Sequence, residues 1–501
     1  GHGANLVVMF FLSPFIVHTL GKVEYGIWSL LTVLTGYMGL LDLGVRASTG
    51  RHIVVYLGKD NDQAVDETIR TSLGFFSGLG LLVVAVGLAI GWLFPSLFRS
   101  VPPEYDLLIQ VLLPLLAMNV WLSLLDGVFL SVLIAHERFD LAQAVNLGVL
   151  GVQTTGTILA LAWGYGICGL AGVVIGCRAL SLVSNYLVAR RIHPRLRVWP
   201  IMLTKSRLRE LLGYGLGAFV GAVSIRVIGQ TDLVVAGAAI GVASVTVYSV
   251  GAMLVYYSGA FLRFINVTLF PPIQRAVARS DMGDARWLFL RAGRLWLIFG
   301  LLVYGGMIVY AEPFIRLWMY GPGFGEESVR QAAMVMRVLA ASGLPLLFVG
   351  ASVSVLNAMG HVRFTASLAI AEALLNLGLS LLFVLVLGWG LAGIAAGTLA
   401  ARLLAGTFIA PWHACTKTGM NWGNYVMRIG GLGLLAGSVF LGLCLLARQF
   451  LPTDSWATFF GQVALVTAGY AVIALWLLVP ATDRQRIWSW AVRRRVAKEV
   501  G

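Results

Sequence analysis

The sequence predicts an all-α polytopic membrane protein: about 14 transmembrane helices, arranged as two pseudo-symmetric six-helix lobes plus two extra C-terminal helices. Three observations predict it. First, only 12% of the 501 residues are charged and 59% are hydrophobic, with a mean hydropathy of +0.87. A soluble domain carries about 25% charged residues, and a water-soluble fold of this length cannot hide so much apolar surface. Second, apolar stretches of about 20 residues or more recur along the chain, each long enough for a helix to cross a hydrocarbon core of about 30 Å. Third, the chain repeats itself internally.

The apolar stretches are 4–20, 25–50, 68–94, 106–135, 140–163, 166–190, 211–239, 245–271, 288–311, 331–357, 364–387, 389–411, 425–447 and 458–480. Their length and their Leu, Val, Ala and Gly content suit helices, not barrel strands. The first stretch is followed by further apolar stretches, so it reads as a span and not as a cleaved leader.

The basic residues test the count. Alternate loops are rich in Lys and Arg: 51–70, 190–210, 272–294 and the tail after 480, with Arg138, Arg363 and Lys417. That side collects 24 of the 36 basic residues, and the other side five. The bias puts both termini in the cytoplasm of a bacterial inner membrane protein. The net charge of +14 therefore reads as membrane topology, and nucleic acid is not expected as a partner. The tail sets Trp488, Val492 and Val496 among arginines, a pattern suited to anionic inner-leaflet lipids.

Enzyme chemistry finds little room. The longest loop on the less basic side, near 311–331, is too short for a catalytic domain. Gly21-Lys22 and Gly58-Lys59 lack the remaining residues of a nucleotide-binding P-loop. Cys168, Cys177, Cys415 and Cys444 form no CxxC or Cys/His metal spacing. No cofactor, no metal and no enzymatic activity are expected.

The repeat is carried by Gly164-Tyr-Gly-Ile-Cys-Gly-Leu-Ala171 and Gly388-Trp-Gly-Leu-Ala-Gly-Ile-Ala395, offset by 224 residues. Arg178 and Arg402 share that offset, and Leu20-Gly21 and Arg138-Phe139 have near-equivalents in Ile240-Gly241 and Arg363-Phe364. The repeat spans six helices, an even number, so the halves share one topology, with an axis along the membrane normal. The division is 1–190 as the N-lobe, 191–210 as a basic linker, 211–411 as the C-lobe, 412–480 as the two added helices and 481–501 as a basic tail. Two like lobes around a midplane cavity is a plan for alternating access.

Charges inside spans are expensive and need a partner or a wet cavity. Arg178 stands 12 residues from each end of its span, about 18 Å from either surface, which is beyond snorkelling reach. Arg402 is nearly as central in 389–411, and Arg226 is near the middle of 211–239. None has an acid three or four positions away. A guanidinium fork suits phosphate oxygens, so these three are the expected core of an anion cavity, with Arg263 and Arg337 as outer members. The alternative is an interlobe salt bridge to Asp126, Asp232 or Glu372. Those acids are candidates for carrying a coupling proton or binding Na⁺, or for balancing the arginines. Asp42 and Arg46 are spaced i,i+4 and read as a local ion pair.

Leu20-Gly-Lys-Val-Glu-Tyr-Gly-Ile-Trp-Ser29 followed by Leu41-Asp-Leu-Gly44 resembles the opening of the polysaccharide transporter (Wzx-type oligosaccharide flippase) family of the multidrug/oligosaccharidyl-lipid/polysaccharide (MOP) superfamily. Gln230-Thr-Asp-Leu with Ile240-Gly241 and Tyr248-Ser249 resembles the seventh and eighth helices of that family. Asn357-Ala-Met-Gly-His361 and Gly388-Trp-Gly-Leu-Ala-Gly393 resemble the tenth to twelfth. The resemblance implies an inner-membrane flippase that moves polyprenyl-pyrophosphate-linked oligosaccharide by alternating access through a cation-lined cavity, coupled to H⁺ or Na⁺. Other polysaccharide-assembly membrane proteins are the partners it implies. Fourteen spans also fit a lipid II-type flippase. A multidrug or metabolite antiporter of the same superfamily and a membrane-embedded glycosyltransferase are the remaining alternatives. The first leans on acidic cavities, whereas the excess inside these spans is basic, and the second usually needs a sizeable catalytic loop, which is missing here.

Overall fold

The computed structural model describes residues 2–194, 196, 198–200, 203–480 and 484–485. These residues are overwhelmingly helical, as the apolar composition demands: without water, backbone groups must bond within their own segment. The first half runs through α1 (His2–Met38), α2 (Val45–Leu57), α3 (Asp62–Leu97), α4 (Asp106–Ala135), α5 (Phe139–Ala162), α6 (Gly166–Ile192) and α7 (Lys205–Val235). The second runs through α8 (Val242–Ala278), α9 (Met282–Gly300), α10 (Gly306–Met319), α11 (Glu326–Ala358), α12 (Val362–Leu381), α13 (Gly390–Ala405), α14 (Ile409–Thr418), α15 (Trp422–Tyr425), α16 (Leu432–Phe450) and α17 (Trp456–Leu477).

Among the described residues, 12 helical stretches are long and apolar enough to cross a membrane. They reconcile with the 14 expected segments at two places. The stretch Gly3–Asp42 has 40 residues, about 60 Å of helix, or two crossings of a 30 Å core. It is interrupted at Gly21, whose φ of 72° and ψ of 178° are non-helical and open to glycine. The expected segment 211–239 coincides with α7 and its π-helical end Ala236–Ile240, of which Gln230–Ile240 is counted as a shorter apolar helix.

The expected helix 25–50 needs correction. It breaks at Leu43 (φ 50°) and Gly44 (φ 73°), both left-handed. The cause is a close approach of two backbones: a Cβ on Gly44 would run into the carbonyl of Gly215 on α7. Two glycines let the two chains touch.

Gly1–Ser249 together with Gly321–Phe324 forms one compact unit, and Val250–Tyr320 with Gly325–Gly501 forms a second. In the first, Val45 and Ile53 of α2, Ile69 and Phe76 of α3, Val128 and Val132 of α4 and Ala189 of α6 form a buried apolar cluster. α7 packs on α2, α1 and α3 within this unit, whereas the repeat set 211–239 at the head of the second lobe. Where α2, α3 and α7 meet, Arg207 lies 3.2 Å from Glu67 and 3.3 Å from Glu210, and Tyr56 donates to Glu210 at 2.7 Å.

In the second unit, the π-helical turn Leu301–Gly305 follows α9. Such a turn leaves carbonyls without their usual partners. The Tyr470 hydroxyl of α17 donates to the carbonyl of Ile298 at 2.9 Å, which satisfies one of them. An apolar cavity of about 590 Å³ lies between α9, α11 and α16, with Leu301, Leu344, Phe348 and Leu441 among its walls.

The repeat is visible in the turns. Gly164 and Gly166 have φ of 79° and 50°, and Gly388 and Gly390 have 68° and 57°. α6 begins at Gly166 and α13 at Gly390, the same offset of 224 that the sequence shows.

Candidate functional site

In the first unit the candidate site is built from α4 and α6. Arg178, Ser181 and Asn185 are spaced i, i+3 and i+7, so they share one face of α6. That face meets Asp126 of α4. Ser181 Oγ donates to Asp126 Oδ2 at 2.9 Å, Asn185 Nδ2 donates to Oδ1 at 2.7 Å, and Arg178 Nη1 lies 3.5 Å from Oδ2. A carboxylate out of water needs such donors. The asymmetry of the pair is informative: the Asp126 side chain is 7% exposed and that of Arg178 is 38% exposed. The acid is enclosed, whereas the guanidinium opens onto a cavity of about 430 Å³ lined by α1, α4, α5 and α6. Arg178 Nε has no hydrogen-bond partner among the described residues.

Arg46 approaches the same stretch of α4. Its guanidinium donates to the Ser123 carbonyl and lies against Gly127, where a Cβ would collide with it. Asp42 and Arg46 still feel each other's charge, though not as a regular helical i,i+4 pair. The break at Leu43 and Gly44 removes the helical register, and Asp42 Oδ1 instead accepts from the Gly44 amide at 2.9 Å.

The second unit holds a counterpart. Arg402 of α13 donates through Nη1 to the Ser342 carbonyl at 2.9 Å and to the Ser342 hydroxyl at 2.8 Å, and its Nε lies 3.4 Å from Glu372 Oε1. These side chains are only 15% and 16% exposed. One turn from each, Asn376 donates to Thr398 at 2.7 Å. Arg402 is thus enclosed, with its Nη1 directed at protein oxygens, while its Nε, like that of Arg178, makes no hydrogen bond among the described residues.

The remaining expected residues are dispersed. Arg337 pairs with Glu312 at 3.0 Å, and Glu312 also receives Arg316 at 3.5 Å, near the α10–α11 connection. Asp232, 1% exposed, accepts from Tyr248 Oη at 2.6 Å. The side chains of Arg226 and Arg263 lie outside the described residues. The structure thus joins Asp126 to Arg178 and Glu372 to Arg402, each pair within its own unit. Sequence reasoning did not single out Ser181, Asn185 or Ser342. The i+3 and i+7 spacing from Arg178 was the available signal for the first two.

Comparison with known proteins agrees with this architecture. The family model described as lipid II flippase MurJ matches residues 53–483. A Shigella flexneri protein named as a candidate O-antigen transporter is 22% identical over 413 residues, covering 79% of this chain and 91% of that one. Among solved structures, an inward-facing multidrug resistance MATE family transporter of the MOP superfamily superposes with a TM-score of 0.71 at 16% identity, covering 82% of this chain and 94% of the other. The lipid II flippase MurJ in an inward closed conformation gives 0.68 at 13% identity, covering 94% and 97%. The family match spans most of the chain, both solved folds are multi-helix transporters, and the charged pairs lie within helices of this multi-pass membrane protein: the chain belongs to the lipid II flippase MurJ family.

Proposed function

We propose that this protein translocates a polyprenyl-pyrophosphate-linked oligosaccharide across the bacterial inner membrane by alternating access, with both termini cytoplasmic. The observation that carries the reading is Arg178, a cation deep in a helix. Its side chain is 38% exposed and lines a cavity. Such a group in a membrane suits an anionic ligand. The names of the relatives, a lipid II flippase and a candidate O-antigen transporter, support a lipid-linked cargo. The apolar cavity in the second unit has the chemistry to accompany an isoprenoid chain.

Asp126 and a phosphate compete for the Arg178 guanidinium, so cargo binding draws the arginine away from its acid. Coupling to H⁺ or Na⁺ is part of the same reading.

Export of lipid-linked glycan in cells, normalised to the amount of protein in the membrane, tests the reading. Arg178→Ala is expected to lower export at least tenfold. Arg178→Lys keeps the charge but loses the bidentate fork, and should fall between. Wild-type export by Arg178→Ala would remove the anion contact from the mechanism. Efflux of cationic drugs without glycan export would favour the multidrug antiporter alternative, which the likeness to MATE transporter folds supports.

A further inference from the structure

The cavity beside Arg178 has an unusual lining for a membrane-spanning region. Gln143, Asn146 and Gln153 of α5 all face it. Their spacing of i, i+3 and i+10 places them along a single helix face, with Val149 and Leu150 between them. Asn5 of α1 and Asn185 of α6 add two more carboxamides. The cavity has one arginine and one carboxylate, already paired, so its lining carries no net formal charge.

Two further facts point to a ligand. Asn185 is 4% exposed, lines the cavity and has no hydrogen-bond partner for its Oδ1 among the described residues. A buried acceptor left so costs free energy until a donor arrives. The α5–α6 connection is short, so the helices run antiparallel and residues equidistant from the turn are level. Gln153 is then level with the neighbourhood of Arg178, and Gln143 with that of Asn185. From Gln153 to Gln143 the stripe is about 15 Å long.

We infer that this stripe is the saccharide subsite: Gln143, Asn146, Gln153 and Asn185 hold sugar hydroxyl and amide groups while Arg178 holds the adjoining phosphate. Each carboxamide both donates and accepts, matching a hydroxyl, which does the same. Leu130, Val149 and Leu150 offer apolar surface to the carbon faces of a sugar ring. A pyrophosphate offers acceptors only and would use the carboxamide NH2 groups alone, whereas sugar hydroxyls use both the NH2 and the carbonyl. The inference rests on the flippase reading and adds which part of the cargo α5 recognises.

The test is binding of two lipids to the full-length protein in lipid nanodiscs: polyprenyl-pyrophosphoryl oligosaccharide extracted from the producing cells, and bare polyprenyl pyrophosphate. The wild type is expected to bind the glycosylated lipid about tenfold or more tightly than the bare one, the sum of a few modest hydrogen bonds. Gln143→Leu with Asn146→Leu replaces two exposed side chains, so folding should survive, as a thermal unfolding measurement checks. This variant should lose the preference and bind bare polyprenyl pyrophosphate as the wild type does. Asn146→Gln should restore part of the preference when Gln143 is intact. Equal wild-type binding of both lipids, or a variant that keeps the preference, overturns the subsite and leaves the flippase reading standing. A variant weakened equally toward both lipids also overturns it. A wild type that binds neither lipid defeats the flippase reading, and the subsite with it.

Discussion

Arg178 and Arg402 occupy the same place in the repeat but sit in different surroundings. Arg178 touches Asp126 at 3.5 Å, is 38% exposed and opens onto a cavity. Arg402 is held by the Ser342 carbonyl and hydroxyl and by Glu372, and is 15% exposed. The difference lies in the neighbours. In the first unit the acid is satisfied by Ser181 and Asn185, so its arginine is left partly idle. In the second, the arginine takes up the carbonyl and hydroxyl of a serine. One half has an arginine partly exposed beside a cavity, and the other an arginine that ties α11, α12 and α13 together.

The largest expected effect separates these roles. Arg178→Ala should abolish most export while the protein accumulates and unfolds at a temperature close to the wild type. Arg402→Ala should do the reverse, lowering membrane abundance and unfolding temperature, with the surviving protein retaining export. Equal phenotypes in abundance and in export per molecule would erase the distinction. Next in size, Glu372→Ala strands an enclosed guanidinium and is expected to destabilise by about 3 kcal/mol, read from unfolding in detergent. Asp126→Ala should be milder in that assay, because Arg178 reaches the cavity; a larger loss than for Glu372→Ala would contradict the exposure argument.

Smaller again is Gly44→Ala. It meets both a left-handed backbone and the Gly215 carbonyl, and about 1–2 kcal/mol is expected from the backbone alone. Gly431→Ala, with nothing within 4 Å of its Cβ, should be neutral in the same measurement. The smallest effect concerns Glu210, just before the 211–239 span. Burial raises its affinity for a proton, but hydrogen bonds from Tyr56 and Arg207 and the charges of His52 and Arg207 outweigh this and hold it below its ordinary value of 4.5. Its contribution to stability is therefore present above that value and lost as pH falls through the depressed one. Glu210→Gln should flatten the acid limb of the unfolding curve below about pH 4.5; an unchanged limb would place the acid sensitivity elsewhere.

The helices were legible in the sequence because hydropathy is a sum over many residues and tolerates local error. The break at Gly44 was not, because it depends on Gly215, distant in sequence. The charged half of the site was legible for a related reason: Arg178, Asp126, Glu372 and Arg402 stand out against an apolar background. Ser181, Asn185, Gln143 and Asn146 did not, since a neutral side chain carries no charge to mark it and gains meaning only when packing turns several toward one cavity. Pairing, too, is a property of three dimensions. The alternative reading has the acids bridging the lobes, whereas Asp126 and Glu372 lie beside Arg178 and Arg402 within their own units.

The four glycines at 164, 166, 388 and 390 explain why the duplication could be read at all. All four have positive φ, where an L-residue with a Cβ is strained. Substitution at these corners is opposed by chirality in both copies, whatever either copy transports. Helix faces have no such restriction, and there the copies have drifted: the positions 224 residues on from Asp126 and Asn185 are Gly350 and Ile409. The ancestry of the molecule is therefore recorded in its turns, and its specialisation in its helices.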